Sequence, residues 1–237
     1  MKTFLLSTYY QLLIYTRVKI AVFFSFVFPI FIFVVFSFIW GYHNLTYSKF
    51  LLTGVIIMKV ASDGMFSVGN IIVKFYQDGF VKYFKGIPYS FMKYIGTLVT
   101  SRIINTIVTS AVLLGIGVLF FHTIFGFLEL IYILLGIVGG FIIFSFLGLI
   151  ISIFTAGKDD DQSVTFFIYF IMLFLSNIFY PLNQLNPTFG KIAYILPINP
   201  VVDLTRGDLV SGIPVILWGI VFTIASYVSF EKHEIGR

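Results

Sequence analysis

Lys59 and Asp63 are the two charged residues of an otherwise apolar run from Phe50 to Val73. Because they are four positions apart, they share one face of a helix and lie near its middle. Each charge costs roughly 2.5 to 3.5 kcal/mol when it is unpaired at the centre of a membrane helix. Mutual neutralisation against neighbouring helices offsets that cost, and so does a position on a wet translocation path. The residues alone leave both hypotheses open.

The sequence contains few other residues that could catalyse a reaction or bind a metal or nucleotide. Two Gly-Lys pairs, at 157–158 and 190–191, are followed by Asp159 and Ile192. A phosphate-binding loop requires Ser or Thr at that position, so neither pair fits it. The three histidines have no ligand spacing, and the acidic run 159–161 is typical of a solvated loop. We therefore expect no catalytic residue, no metal site and no ATP-hydrolysing motif in this chain.

The composition indicates a protein that lies in a bilayer. Hydrophobic residues make up 59% of the 237 residues and charged residues 11%, with a mean hydropathy of +1.04. A soluble domain is about 45 to 50% apolar and about 25% charged. The net charge of +5 belongs to basic residues that flank apolar runs, so we expect no nucleic-acid partner. The sequence contains no cysteine, which excludes thiol chemistry.

Six apolar runs approach the length of about 20 residues that a membrane-spanning helix needs. We predict an all-α membrane protein with a single transmembrane domain over 1–237. An N-terminal interfacial helix at 3–16 precedes the spans, since its apolar residues recur at rough helical spacing before Arg17. The predicted spans are about 20–42, 50–73, 97–125, 130–157, 164–181 and 210–230.

The distribution of lysine and arginine predicts the orientation of these spans, because basic residues collect on the cytoplasmic side. Placing both termini in the cytoplasm gives the inner face most of them. On the inner face are Lys2, Arg17, Lys19, Lys74, Lys82, Lys85, Lys93, Arg102, Lys158, Lys232 and Arg237; on the outer face are Lys49, Lys191 and Arg206. We therefore predict a multi-pass protein of the cell membrane.

Two of the connections between predicted spans have sequences that a short solvated loop would not need. The first, the coupling segment 74–94, is basic and rich in aromatic residues. Phe80, Val81 and Phe84 give one apolar face to a short helix there, and such a helix is suited to docking on a partner.

The second connection, the re-entrant segment 182–208, is too apolar for a solvated loop, and its prolines forbid one continuous helix. A broken hairpin that enters the membrane satisfies both facts. We expect Asn199 to cap a short helix that begins at Pro200. We expect Asp203 and Arg206, on adjacent turns, to form an ion pair.

In their order and spacing these features resemble the ABC-2 type permeases, the membrane subunits of ABC transporters. Where that family has an acidic-Gly-Thr-Leu-Glu motif with a later proline, this chain has Asp78–Gly79 and then Pro88, with Phe80 and 82–84 in place of the usual threonine and glutamate. The resemblance implies that Asp78, Gly79, Phe80, Val81, Phe84, Pro88 and Ser90 contact the ATPase. In the second half, the matching residues are Pro181, Tyr194, Asn199, Pro200, Asp203 and Arg206, which implies an extracellular gate.

The resemblance also implies partners. These are two ATPase subunits that bind ATP and Mg²⁺, a second permease copy that is identical or similar, and membrane lipid. We expect a bacterial or archaeal exporter of a hydrophobic or amphipathic substrate, with a peptide favoured over a drug or lipid-linked molecule. Two alternatives are a stand-alone ion-coupled carrier that uses Lys59 and Asp63, and a non-transporting scaffold or immunity protein.

Overall fold

The computed structural model describes residues 2–17, 19–41, 44–80, 84–86, 89–155, 161–185 and 187–232. Every regular element within these ranges is a helix, which confirms the all-α prediction. The helices are α1 (Lys2–Arg17), α2 (Lys19–Val22 and Phe28–Phe36, with π turns Phe23–Val27 and Ser37–Gly41), α3 (Leu45–Gly64, π turn Met65–Gly69 and Asn70–Gln77), α4 (Phe91–Phe121), α5 (Phe127–Thr155), α6 (Asp161–Phe174), α7 (Leu182–Leu185), α8 (Pro187–Ile195), α9 (Ile198–Thr205) and α10 (Gly212–Lys232), with 3-10 turns at Phe84–Gly86 and Leu209–Ser211.

Four stretches of helix among the described residues are long and apolar enough to cross a membrane. They are Leu45–Phe75, Phe91–Phe121, Phe127–Thr155 and Leu209–Ser229. Two of the predicted spans correspond to shorter apolar helices, Ser25–Gly41 and Gln162–Phe174. The structure thus contains four candidate spans, and six membrane crossings remain a prediction.

Helix α3 is the centre of the bundle. Of its most apolar window, 83% is buried inside the protein, against 11% for the last span. Residues 51–61 are buried without interruption, so α3 has no lipid-facing side over this length. A helix that is apolar all round is suited to this central position.

Glycines allow α3 and α5 to approach each other closely. Gly69 and Gly148 face each other, and a methyl group on Gly148 would lie 2.5 Å from the Met65 carbonyl oxygen. Gly64 meets Phe144 in the same way one helical turn away. The sequence suggests this role for the glycines of α5, because small residues let membrane helices pack closely.

The N-terminal helix α1 packs with its polar face inward. Thr8, Gln11 and Tyr15 are buried against α4, while Leu5 and Ile14 are exposed on the other side. The exposed side is therefore apolar, as expected for a helix that contacts lipid. This arrangement directs the polar side chains of α1 at the interior of the bundle.

We predict that Gly148→Ala destabilises the protein by about 1 to 3 kcal/mol, because the new methyl group meets backbone atoms that have no room to move. The measurement is the midpoint of thermal unfolding in detergent. Gly115→Ala on α4 is the matched control, since a methyl group there meets nothing within 4 Å. Equal midpoints for both variants would contradict the close α3–α5 contact.

Candidate functional site

The two charges predicted inside the membrane form an ion pair in the middle of α3. The Lys59 ammonium contacts Asp63 Oδ2, and the two side chains are only 1% and 4% exposed. The Thr106 hydroxyl on α4 donates a second hydrogen bond to the same carboxylate oxygen at 2.6 Å. Both charges are therefore neutralised within the protein rather than exposed to lipid.

A third charge, Arg102 on α4, belongs to the same buried cluster. Its assignment to the inner membrane face stays a prediction; within the protein its side chain is buried, at 7% exposed. Helix α4 begins at Phe91 rather than near 97, which places Arg102 about three turns inside the helix. Its guanidinium lies 3.9 Å from the centre of the Tyr15 ring, and its charge interacts with those of Lys59 and Asp63. Arg102 Nε has no hydrogen-bond partner among the described residues.

Tyr15 connects α1 to this cluster. Its hydroxyl lies within hydrogen-bonding reach of Ser25 and Asn105, and the Asn105 amide donates to the Ser25 hydroxyl at 2.9 Å. Burial, with a smaller contribution from Asp63, raises the pKa of Tyr15 to about 12. The phenol therefore remains protonated at neutral pH and is available to hydrogen-bond its neighbours.

A cavity of about 290 Å³ lies against the ion pair. On one wall the Tyr169 hydroxyl donates to the Met58 carbonyl at 3.1 Å, and on another Phe66 packs on Phe166 with ring centres 4.4 Å apart. The lining consists of Tyr15, Ser25, Phe28, Pro29, Met58, Lys59, Ser62, Asp63, Phe66, Ser67, Gln162, Phe166, Tyr169 and Phe170. The pair is thus both buried and in the wall of a cavity, so the two sequence hypotheses are compatible.

A second cavity, of about 350 Å³, contains four of the six residues assigned to the extracellular gate. Pro181, Tyr194, Asp203 and Arg206 line it, whereas Asn199 and Pro200 are buried in the segment outside its lining. The structure therefore brings residues that are distant in sequence, from Pro181 to Arg206, to the wall of one cavity. The remaining lining residues are Phe50, Asn177, Asn183 and Asp208.

The expected ion pair between Asp203 and Arg206 is wrong. Arg206 Nη2 donates to the carbonyls of Phe50 and Asn177 at 2.9 and 2.8 Å, and Nε donates to Thr53 Oγ1 at 3.2 Å. The guanidinium also stacks on the Phe50 ring at 3.6 Å. The side chain extends from the end of α9 to α3 and to Asn177, where oxygen atoms accept from Nε and Nη2, while Asp203 acts on it only as a nearby charge. In the described part of the chain, ion pairs form at Lys49–Glu129 and Lys59–Asp63.

Asn199 does not cap a helix that starts at Pro200. Helix α9 begins at Ile198 and has no side-chain cap, so Asn199 lies inside its first turn. The Asn199 side-chain oxygen accepts from the backbone N–H of Asn177 at 2.7 Å, and its side-chain nitrogen donates to the carbonyls of Leu175 and Ala193. By binding the peptide groups that follow α6, Asn199 stabilises the end of that helix at Phe174, before the predicted end at 181.

The coupling segment folds back on itself through aromatic contacts. Phe80 and Phe84, predicted to contact a partner, pack with Phe75, Phe91 and Tyr94 at ring-centre distances of 5.2 to 6.5 Å, and Phe80 is still 38% exposed. We call these five residues the aromatic cluster. It forms because the end of α3 and the start of α4 lie side by side there. Val81 and Pro88 lie outside the described residues, as does most of the acidic run after Lys158.

A turn follows α3 in the described part of this segment. Asp78 is exposed, and Gly79 has a left-handed backbone with φ of 67°. Glycine adopts that conformation without the steric cost that other residues meet. Ser90 is also exposed and immediately precedes α4. Among the predicted contact residues that the structure describes, Asp78, Phe80 and Ser90 are exposed, and Gly79 is partly exposed.

Sequence reasoning missed three site residues: Arg102, Tyr15 and Asn177. A signal existed for Arg102, because α4 carries polar residues at helical spacing, whereas Tyr15 lies on α1 and had no such signal. These residues of α4, all buried, are Thr97, Ser101, Arg102, Asn105, Thr106 and Thr109. Such a polar stripe inside an apolar helix indicates a buried polar interface. Asn177 had no comparable signal.

A comparison with protein families finds a match over most of the chain. The sequence profile of the ABC-2 type transporter family matches residues 2–210. The matched region includes both cavities and the coupling segment. No curated protein matches this chain.

We predict that Asp63→Asn destabilises the protein by about 3 to 5 kcal/mol, because it leaves Lys59 buried without a counter-charge. The double variant Lys59→Met with Asp63→Leu should unfold at nearly the wild-type midpoint, since a buried pair can be replaced by apolar groups of similar volume. Thermal unfolding in detergent measures both. A double variant less stable than Asp63→Asn would contradict the pair as described.

We predict that Arg206→Gln lowers the yield of folded protein, because it weakens the connection between α9 and α3. Asp203→Asn should have a smaller effect. Burial disfavours the charged form of the Asp203 carboxyl and raises its pKa above the ordinary value, so removing that charge costs less than removing the contacts of Arg206. Size-exclusion profiles of the two variants make the comparison. Equal losses would instead support the ion pair that the sequence suggested.

Proposed function

The chain belongs to the ABC-2 type transporter family, and from that premise we propose that it is the permease subunit of an ATP-driven exporter. The observation that carries the proposal is the family match over 2–210, which includes three of the four long apolar helices in full. The family domain is a transmembrane permease and not a catalytic domain. A separate ATPase subunit would then supply ATP hydrolysis, with ATP and Mg²⁺ bound there.

The turn at Asp78–Gly79 is the proposed contact for that ATPase. It is exposed and lies directly between α3 and α4. The aromatic cluster joins the ends of these two helices, so a force on the turn would move both together. Because α3 and α4 hold the ion pair and Thr106, such a movement would reshape the cavity beside them. Conversion between two packed arrangements is the change that alternating access requires.

Two copies of the chain and two ATPase subunits would form the working exporter. The cavity within one chain, at about 290 Å³, is at the lower limit of roughly 300 to 1,000 Å³ that is usual for ligand sites. Helix α10 leaves large apolar side chains such as Ile213, Ile216 and Ile220 exposed, so surface remains for lipid and for a second copy. A complete pathway for a larger substrate would then lie between two copies.

The proposed substrate is hydrophobic or amphipathic. Aromatic rings such as Phe66, Phe166 and Phe170 form much of the cavity wall, while the polar groups gather around the ion pair. A wall of this kind suits a molecule with an apolar body and one polar end. A peptide remains the first prediction, followed by a drug or a lipid-linked molecule.

Co-purification of the tagged protein with a candidate ABC ATPase tests the proposal. We expect a stable complex with stoichiometric ATPase, whose ATP turnover changes when the permease is present. A folded permease that binds none of the candidate ATPases would contradict the proposal and favour the stand-alone carrier. Expression of the ATPase and permease in the same cells avoids loss of a weak complex.

Within that complex, we predict that Gly79→Val weakens ATPase association several-fold. Valine meets no neighbour at this position but costs roughly 1 to 2 kcal/mol in a left-handed backbone. The matched control is Gly126→Val in the link between α4 and α5, which should bind normally. If Gly79→Val also binds normally, the contact lies elsewhere, although the permease assignment stands.

A further inference from the structure

The buried charge cluster in the described part of the bundle is not electrically balanced. One carboxylate, Asp63, faces two cations, Lys59 and Arg102. Lys59 takes the direct contact with Asp63, which leaves Arg102 stacked on Tyr15 at 3.9 Å without a carboxylate in contact. The cluster therefore carries an excess of one positive charge inside the apolar part of the protein.

Arg102 reduces the cost of its burial only in part, through the Tyr15 ring and the more distant charge of Asp63. Arginines near the ends of membrane helices extend their side chains to the interface. Arg102 is instead 7% exposed, and Tyr15 covers it from the side of the cavity. A positive charge in a low-dielectric environment attracts an anion over a longer distance than it would in water.

The charge of Arg102 acts on the cavity from behind the Tyr15 ring, because Arg102 itself does not line the cavity. Lys59 and Tyr15 line the cavity together with Asp63, the ion-pair partner of Lys59. The hydroxyl-bearing residues Ser62 and Ser67 line it as well. These groups supply hydrogen-bond donors at one part of the wall. The aromatic residues of the lining, among them Phe66 and Phe166, supply an apolar surface for the rest of a bound molecule.

We propose that this cavity binds an amphipathic anion, with its acidic group beside Lys59 and Tyr15 and its hydrocarbon part against the aromatic wall. The volume of about 290 Å³ suits an acidic head and part of a chain. The inference narrows the substrate class of the proposed exporter and in that sense rests on the proposed function. The binding itself requires neither the ATPase nor transport.

The test uses the purified full-length chain in phosphatidylcholine nanodiscs without ATPase. A diazirine-bearing fatty acid is the probe, and the cross-linked residues are identified by mass spectrometry. We expect labelling of the cavity walls from α2, α3 and α6. Lauryl phosphate should compete at roughly tenfold lower concentration than lauryltrimethylammonium, because the chain length is the same and the head groups carry opposite charge.

Two variants separate charge from general affinity for hydrocarbon. Arg102→Gln should lower cavity labelling several-fold and abolish the preference for the anionic competitor. Lys93→Gln removes the same charge from an exposed position at the start of α4 and should label like the wild type. If Arg102→Gln does not fold, Ser67→Phe fills the cavity while the charge cluster stays intact, and it should lose labelling in the same way.

Equal competition by the anionic and cationic compounds would overturn the proposal, as would labelling confined to the outer surface of the bundle. Neither result would affect the ATPase association described above. Conversely, a chain that binds the anion and never binds an ATPase would refute the exporter assignment alone. The two claims therefore fail independently.

Discussion

The burial of an ion pair at the middle of α3 is the constraint on which the rest of the structure depends. A single unpaired charge there would cost several kcal/mol, and the attraction within the pair offsets that cost only when the geometry is good and the remaining donors and acceptors are satisfied. Lys59 and Asp63 meet this condition because Thr106 approaches from α4. Close packing of α3 on α5 through glycines keeps the pair away from lipid.

Both ends of α3 are fixed by interactions with other parts of the chain. At one end the aromatic cluster joins α3 to α4, and at the other Arg206 joins α3 to α9 through the carbonyl of Phe50. Asn199 in turn connects α9 to the residues that follow α6. The central helix thus links the turn proposed to contact the ATPase with the second cavity. For this reason a displacement at one end can affect the whole of the polar interior.

Much of the fold was predictable from the sequence, because apolar runs and prolines act locally. The all-α class followed from them, and so did the face shared by Lys59 and Asp63. The ABC-2 family was indicated by a resemblance in the order and spacing of motifs, and the family profile confirms it. The contacts between residues that are distant in sequence were harder to predict. Spacing alone allowed Arg206 to pair with Asp203, but it could not show that carbonyl oxygens from α3 lie nearer to the guanidinium. Similarly, Phe80 and Phe84 form an apolar face, yet the sequence does not say whether that face meets a partner or the protein itself.

The most direct test of the account is the aqueous accessibility of the cavity beside the ion pair. Since the chain has no cysteine, Ser62→Cys introduces a single thiol into the cavity wall, and Ser110→Cys introduces one into a buried position of α4 outside the lining. A membrane-impermeant thiol reagent should modify Ser62→Cys several-fold faster, and a non-hydrolysable ATP analogue bound to the partner ATPase should change that rate. Equal, slow modification of both thiols, with and without nucleotide, would contradict a translocation path along α3.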